Sequence, residues 1–77
     1  MKTENAQAQF VVCINNDGYP ASLELRKIYR TLPDEKAEKH SLTRVVDESG
    51  EDYLYPERFF VPIQLPRAAK EAFLHAA

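Results

Sequence analysis

Residues 42–63, LTRVVDESGEDYLYPERFFVPI, constrain the fold more than any other stretch of this chain. Most of the large apolar side chains of the second half lie here, so a core must form here. The stretch reads as a strand at Leu42–Val46, a tight acidic turn at 47–52 and a second strand at 53–55. A proline-initiated single turn at 56–58 then leads into a last strand at 59–63. Gly50 takes positive φ at little steric cost, which suits the left-handed position of a short hairpin loop.

With 77 residues the chain forms one small domain, and chains of this size bury only ~60% of their unfolded surface. An apolar content of 44% places it among globular rather than disordered sequences. Its net charge of −2 argues against non-specific binding to a phosphate backbone. No apolar run approaches the ~20 residues that span a bilayer, and MKTENAQAQ has no secretory pattern, so the expected address is the cytoplasm. The single cysteine, Cys13, cannot close an internal disulfide or supply a C-x-x-C pair.

Residues 1–9 are polar and unpatterned, as flexible chain ends are. Residues 10–14, FVVCI, form a continuous β-branched run that suits a strand buried on both faces. The turn Asn15-Asn16-Asp17-Gly18 stops it, and Tyr19-Pro20 extends the connection. Leu23, Leu25, Ile28 and Leu32 fit either helix or strand. Read by composition, the segment is a loop to about Arg26 and a strand onward to Leu32. After Pro33, the run DEKAEKH is a two-turn helical insertion whose acids lead and whose cations trail, the polarity a helix dipole favours. Pro66 opens a final helix whose apolar stripe is Ala69, Ala72, Phe73 and Ala76. That helix should lie across a barrel mouth or an open sheet edge.

Five short strands, with a tight turn and then a proline-led single turn before the last, resemble an SH3-type barrel. The local match is Tyr53-Leu54-Tyr55-Pro56-Glu57-Arg58-Phe59-Phe60-Val61, which is similar to the end of SH3 domains. There an apolar strand runs into a proline, a one-turn 3₁₀ helix, an aromatic and a valine. The chain is also similar to short bacterial proteins through KIYRTLPD and residues 42–60. The resemblance implies a mainly all-β fold: a five-stranded SH3-like barrel over 10–65 with a short helical insertion, and a C-terminal helix over 66–77 packed on it. Two features of the peptide-binding SH3 pattern are missing. The first strand lacks an ALYDY-like run, and the chain has no tryptophan.

The expected role is a non-catalytic interaction or regulatory module that binds a protein partner. Its binding residues would be Tyr53, Tyr55, Pro56 and Phe59, an aromatic surface of the kind that proline-rich ligands occupy. If Leu54 points into the core, alternation turns Tyr53 and Tyr55 outward together. The expected core is then Val46, Leu54 and one of Phe59 or Phe60. The alternative is a small barrel that binds nucleic acid, with Tyr19, Tyr29, Tyr53, Tyr55 and Phe59 beside Arg26, Lys27, Arg30 and Arg44. Acids outnumber bases, 12 to 10, which disfavours it.

Asp47, Glu48, Glu51 and Asp52 offer the oxygens that hard cations want. They lack the alternating spacing of a calcium loop, so they read as a solvated hairpin tip and no metal is expected. Cys13, set among Val11, Val12 and Ile14, reads as a buried core residue rather than a nucleophile. His40 and His75, the only histidines, read as a helix-end cation and a surface residue. With no nucleophile–base set and no phosphate loop, neither enzymatic activity nor a cofactor is expected.

Overall fold

The computed structural model describes residues 9–74. Five strands lie within them: Gln9–Cys13 (β1), Ile28–Leu32 (β2), Leu42–Val46 (β3), Asp52–Pro56 (β4) and Phe60–Ile63 (β5). Two short helices, Glu35–Lys39 (α1) and Arg67–Leu74 (α2), and a 3₁₀ turn at Glu57–Phe59 join them. All strand pairs are antiparallel, in one sheet of order β4-β3-β2-β1-β5. The domain is therefore mainly β. The flexible segment expected at 1–9 falls almost wholly outside the described residues, as do His75 and Ala76.

Local chemistry accounts for the punctuation. Gly50 sits at φ 85°, and its N–H donates to the Asp47 carbonyl at 2.9 Å, closing the β3–β4 turn. Asp34 caps α1 by accepting the Ala37 N–H at 3.0 Å. Ala37 is the buried residue of that helix, which packs on β3. The connection from β1 to β2 is longer than expected, because β2 starts at Ile28 rather than near Arg26. Arg26 adopts φ 65°, and its N–H donates to the Cys13 carbonyl. A non-glycine residue in that region cannot continue a strand. Leu23, fully buried, anchors this long loop on the core.

The register divides the sheet into two faces. Val11, Cys13, Tyr29, Val45, Tyr55 and Phe60 gather on the inner face with Leu23 and Phe59. Two expected core positions are corrected here: Val46 is half-buried and Leu54 is 38% exposed, both on the outer face. Their neighbours Val45 and Tyr55 point inward instead. A tyrosine takes the place expected of leucine because its hydroxyl finds a buried partner, so the whole ring can enter the core.

The expectation that only one of Phe59 and Phe60 is buried is also corrected, since they are 3% and 7% exposed. Phe59 ends the 3₁₀ turn and Phe60 begins β5, so strand alternation does not separate them. On the outer face Phe10 is buried, and Phe73 of α2 packs against it with ring centroids 5.3 Å apart. The final helix therefore leans on the outer face of β1.

Cys13 is fully buried, and burial pushes its thiol pKa up. It should react with a chromogenic disulfide reagent far more slowly in the native protein than in denaturant. Equal rates would show that the inner face of β1 opens to solvent.

Candidate functional site

The four residues expected to bind a partner separate in the structure. Tyr53 is 56% exposed and Pro56 is half-buried, whereas Tyr55 and Phe59 are 2% and 3% exposed. Tyr53 and Tyr55 do share a face, as alternation requires, but it is the inner face. Tyr53 stays in solvent because it stands at the start of β4, next to the turn. The helix does not cover these rings, since Phe73 meets Phe10.

Tyr19, from the long loop after β1, covers Tyr55 and Phe59. Its ring stands edge-on to Tyr55 at 5.0 Å and 89°, and lies 6.2 Å from Phe59. These are favourable aromatic geometries. Below them Tyr55 approaches Phe60 at 6.3 Å, and Phe59 approaches Phe60 at 6.4 Å. The Arg58 guanidinium lies 5.5 Å from the Phe59 centroid, within cation–π range. Tyr19 remains 42% exposed. The exposed rings are thus Tyr19, backed by Tyr55 and Phe59 with Arg58 beside it, and Tyr53 on the same face of β4, while Pro56 lies on the opposite face.

The sequence places Tyr19 only in the nucleic-acid alternative and not on the partner surface, because nothing local ties a loop tyrosine to a distant strand. The available signal was a large ring in an otherwise polar turn, directly before Pro20.

Of the acidic turn, Asp47 is buried and bound into the fold, while Glu48, Glu51 and Asp52 are exposed as expected of a hairpin tip. The Tyr55 hydroxyl donates to Asp47 Oδ2 at 2.6 Å, and the Ser49 amide and hydroxyl donate to Oδ1 at 2.9 and 2.6 Å. Burial raises the Asp47 pKa, but these hydrogen bonds outweigh it and hold the carboxyl below its ordinary range. Burial, reinforced by the bond to Asp47, pushes Tyr55 up to about 12. Glu48 Oε2 accepts from Lys27 Nζ and from the Tyr29 hydroxyl, each at 2.6 Å, and these bonds lower the Glu48 pKa. Asp52 accepts from Arg44, which also binds Asp34.

These pairings also place the residues of the nucleic-acid alternative. Tyr29, Tyr55 and Phe59 are buried, and Lys27 and Arg44 are paired with carboxylates. Among the described residues no three His, Cys, Asp or Glu side chains gather as a metal site. No described helix is long and apolar enough to cross a membrane. The chain is a small antiparallel β domain carrying an aromatic surface. Comparison with known proteins finds no matching family model, no matching curated protein and no matching solved structure.

Proposed function

We propose that this chain is a non-catalytic, SH3-like interaction module of the cytoplasm that docks on a protein partner through its aromatic surface. The observation that carries the reading is a pair of exposed tyrosines: Tyr19, seated edge-on against buried Tyr55, and Tyr53, on the same face of β4 as Tyr55. Rigid rings fixed by a buried support bury area on binding at little loss of entropy, which is how anchors supply most interface energy. Five antiparallel strands, a tight β3–β4 turn and a 3₁₀ turn before β5 support the SH3-like reading. A partly open curl of the sheet into an SH3-like barrel, with β4 left as a free edge, belongs to the same proposal.

A protein partner is preferred to nucleic acid because two of the four cations of that alternative are spent on ion pairs, and three of its five rings lie in the core. The test is capture of a partner from native cytoplasm by Tyr19→Ala, Tyr53→Ala and Glu51→Ala proteins. Each tyrosine variant should lose about tenfold or more in affinity, the effect of removing an anchor worth over ~1.4 kcal/mol. Glu51→Ala should bind like the parent. Loss with Glu51→Ala and retention by both folded tyrosine variants would sink the aromatic-surface reading.

A further inference from the structure

The two outer strands of the sheet are finished differently. At the β5 end, the Ile14 N–H donates to the Phe59 carbonyl at 2.8 Å, and Val12 pairs with Val61. By antiparallel alternation, Val61 and Ile63 then bond to β1 while Phe60 and Pro62 face the open side. Proline has no N–H, and the Phe60 N–H is spent on the Glu57 carbonyl. Neither Phe60 nor Pro62 therefore offers a donor on that edge, the usual way a protein blunts it.

At the β4 end, the Asp47 N–H donates to the Glu51 carbonyl at 3.0 Å and the Glu57 N–H donates to the Ser41 carbonyl at 2.9 Å. With the register between them, Tyr53 and Tyr55 bond to β3, and the backbone groups of Asp52 and Leu54 point away from the sheet. No proline and no spent N–H removes a donor from this edge at those two residues, and Asp52 is its one charged side chain. Their neighbourhood is open, since Asp52, Tyr53 and Leu54 are all exposed. Pro56 ends the run.

We propose that the β4 edge pairs antiparallel with the β4 edge of a second copy of this chain, about a two-fold axis through Tyr53. In this register Asp52 faces Leu54 of the other copy and Leu54 faces its Asp52. All four outward amide and carbonyl groups of each edge are then engaged, giving four hydrogen bonds in all. Tyr53 meets its own counterpart at the non-hydrogen-bonded position, where Cα atoms approach to ~4.5 Å and side chains pack closest. Centring the pair on Leu54 instead would set Asp52 against Pro56 and forfeit donors. Asp52, the one charged side chain in the seam, is bound at 3.0 Å to Arg44, which it shares with Asp34, and in this register it stands opposite Leu54 rather than its own counterpart.

The pairing covers two exposed large apolar side chains, Tyr53 at 56% and Leu54 at 38%. So short a seam falls well below the ~1,200 Å² of a standard interface, which makes the dimer weak and reversible. The inference rests on the backbone of β4, and it shares Tyr53 with the partner reading above, so that the two contacts compete for that ring.

Sedimentation of the chain between ~0.01 and ~1 mM brackets this weak range. The average mass should climb from one chain toward two across it. Tyr53→Lys, which sets two ammonium groups face to face, should stay monomeric at the top concentration. Leu54→Pro, which removes an outward N–H together with the leucine side chain, should do the same. Both should keep the parent's circular dichroism. Val61→Lys, an exposed site on β5, should associate like the parent. A parent that stays monomeric throughout overturns the proposal, as does a Tyr53→Lys protein that dimerises normally. Loss of association in Val61→Lys with retention in Leu54→Pro would place the contact elsewhere and overturn it too. Because no partner protein enters this test, a failed capture experiment leaves its result unaffected.

Discussion

Phe60→Ala and Phe59→Ala are each expected to destabilise the domain by ~3–5 kcal/mol, the usual cost of truncating a buried phenylalanine. Phe60 touches Tyr55 and Phe59, and Phe59 lies between Phe60, Tyr19 and Arg58. Either truncation opens a cavity that rings held by hydrogen bonds and by the 3₁₀ turn cannot collapse to fill. Domains carry ~5–15 kcal/mol in total, and one this small sits toward the lower end. At ~4–8 °C per kcal/mol for this size, both variants should melt at least ~12 °C below the parent or fail to fold. Val61→Ala, at a position 44% exposed, should melt close to the parent. Thermal melts followed by circular dichroism decide the matter. A near-parental melt for either phenylalanine variant would mean that the boundary between turn and strand lies elsewhere than at residues 59 and 60.

The stretch that predicts this result shows what the sequence can and cannot reveal. Residues 42–46 and the turn at Gly50 are legible because their determinants are local: β-branched composition, then a residue that tolerates positive φ. The helical insertion is legible through its cap and charge polarity. The direction in which residues 52–56 face is not. Leu54 and Tyr55 compete for the core, and by hydrophobicity alone leucine wins. The outcome turns on Asp47, eight residues earlier, which accepts the tyrosine hydroxyl and makes burial of the ring inexpensive. Tyr19 and Leu23 were obscure for the same reason, since each acts through a tertiary contact. The candidate surface was thus half readable. Tyr53 and Pro56 stand at the surface, while Tyr55 and Phe59 form the support for a ring that only the fold brings near.

The Tyr55–Asp47 bond should also govern how stability depends on pH. Asp47 has a native pKa below its unfolded value of ~3.9. Its contribution is therefore present above that value and is lost as pH falls through the native pKa. Glu48, lowered by Lys27 and then Tyr29, acts in the same direction. Tyr55 is raised to about 12, so its contribution is complete below pH ~10 and drains away as pH rises from there to about 12. Stability should therefore be flat through neutral pH, with one limb in acid and one in alkali. Tyr55→Phe keeps the ring but leaves Asp47 Oδ2 without its donor, at a cost of ~1–3 kcal/mol at pH 7. Without that bond the Asp47 pKa rises, so the acid limb should begin at higher pH, and the alkaline limb should lose the share due to Tyr55. Asp47→Ala leaves the buried Tyr55 hydroxyl with only Ser22 beside it and also frees Ser49, and should cost at least as much. Urea titrations of the parent, both single variants and the double variant from pH 3 to 11 would test the cycle. The double variant should be more stable than the sum of the single losses predicts, because each single change leaves a buried polar atom that the double change removes. Losses that add to within ~0.5 kcal/mol, or acid limbs that coincide for parent and Tyr55→Phe, would show that this bond does not hold the turn to the core.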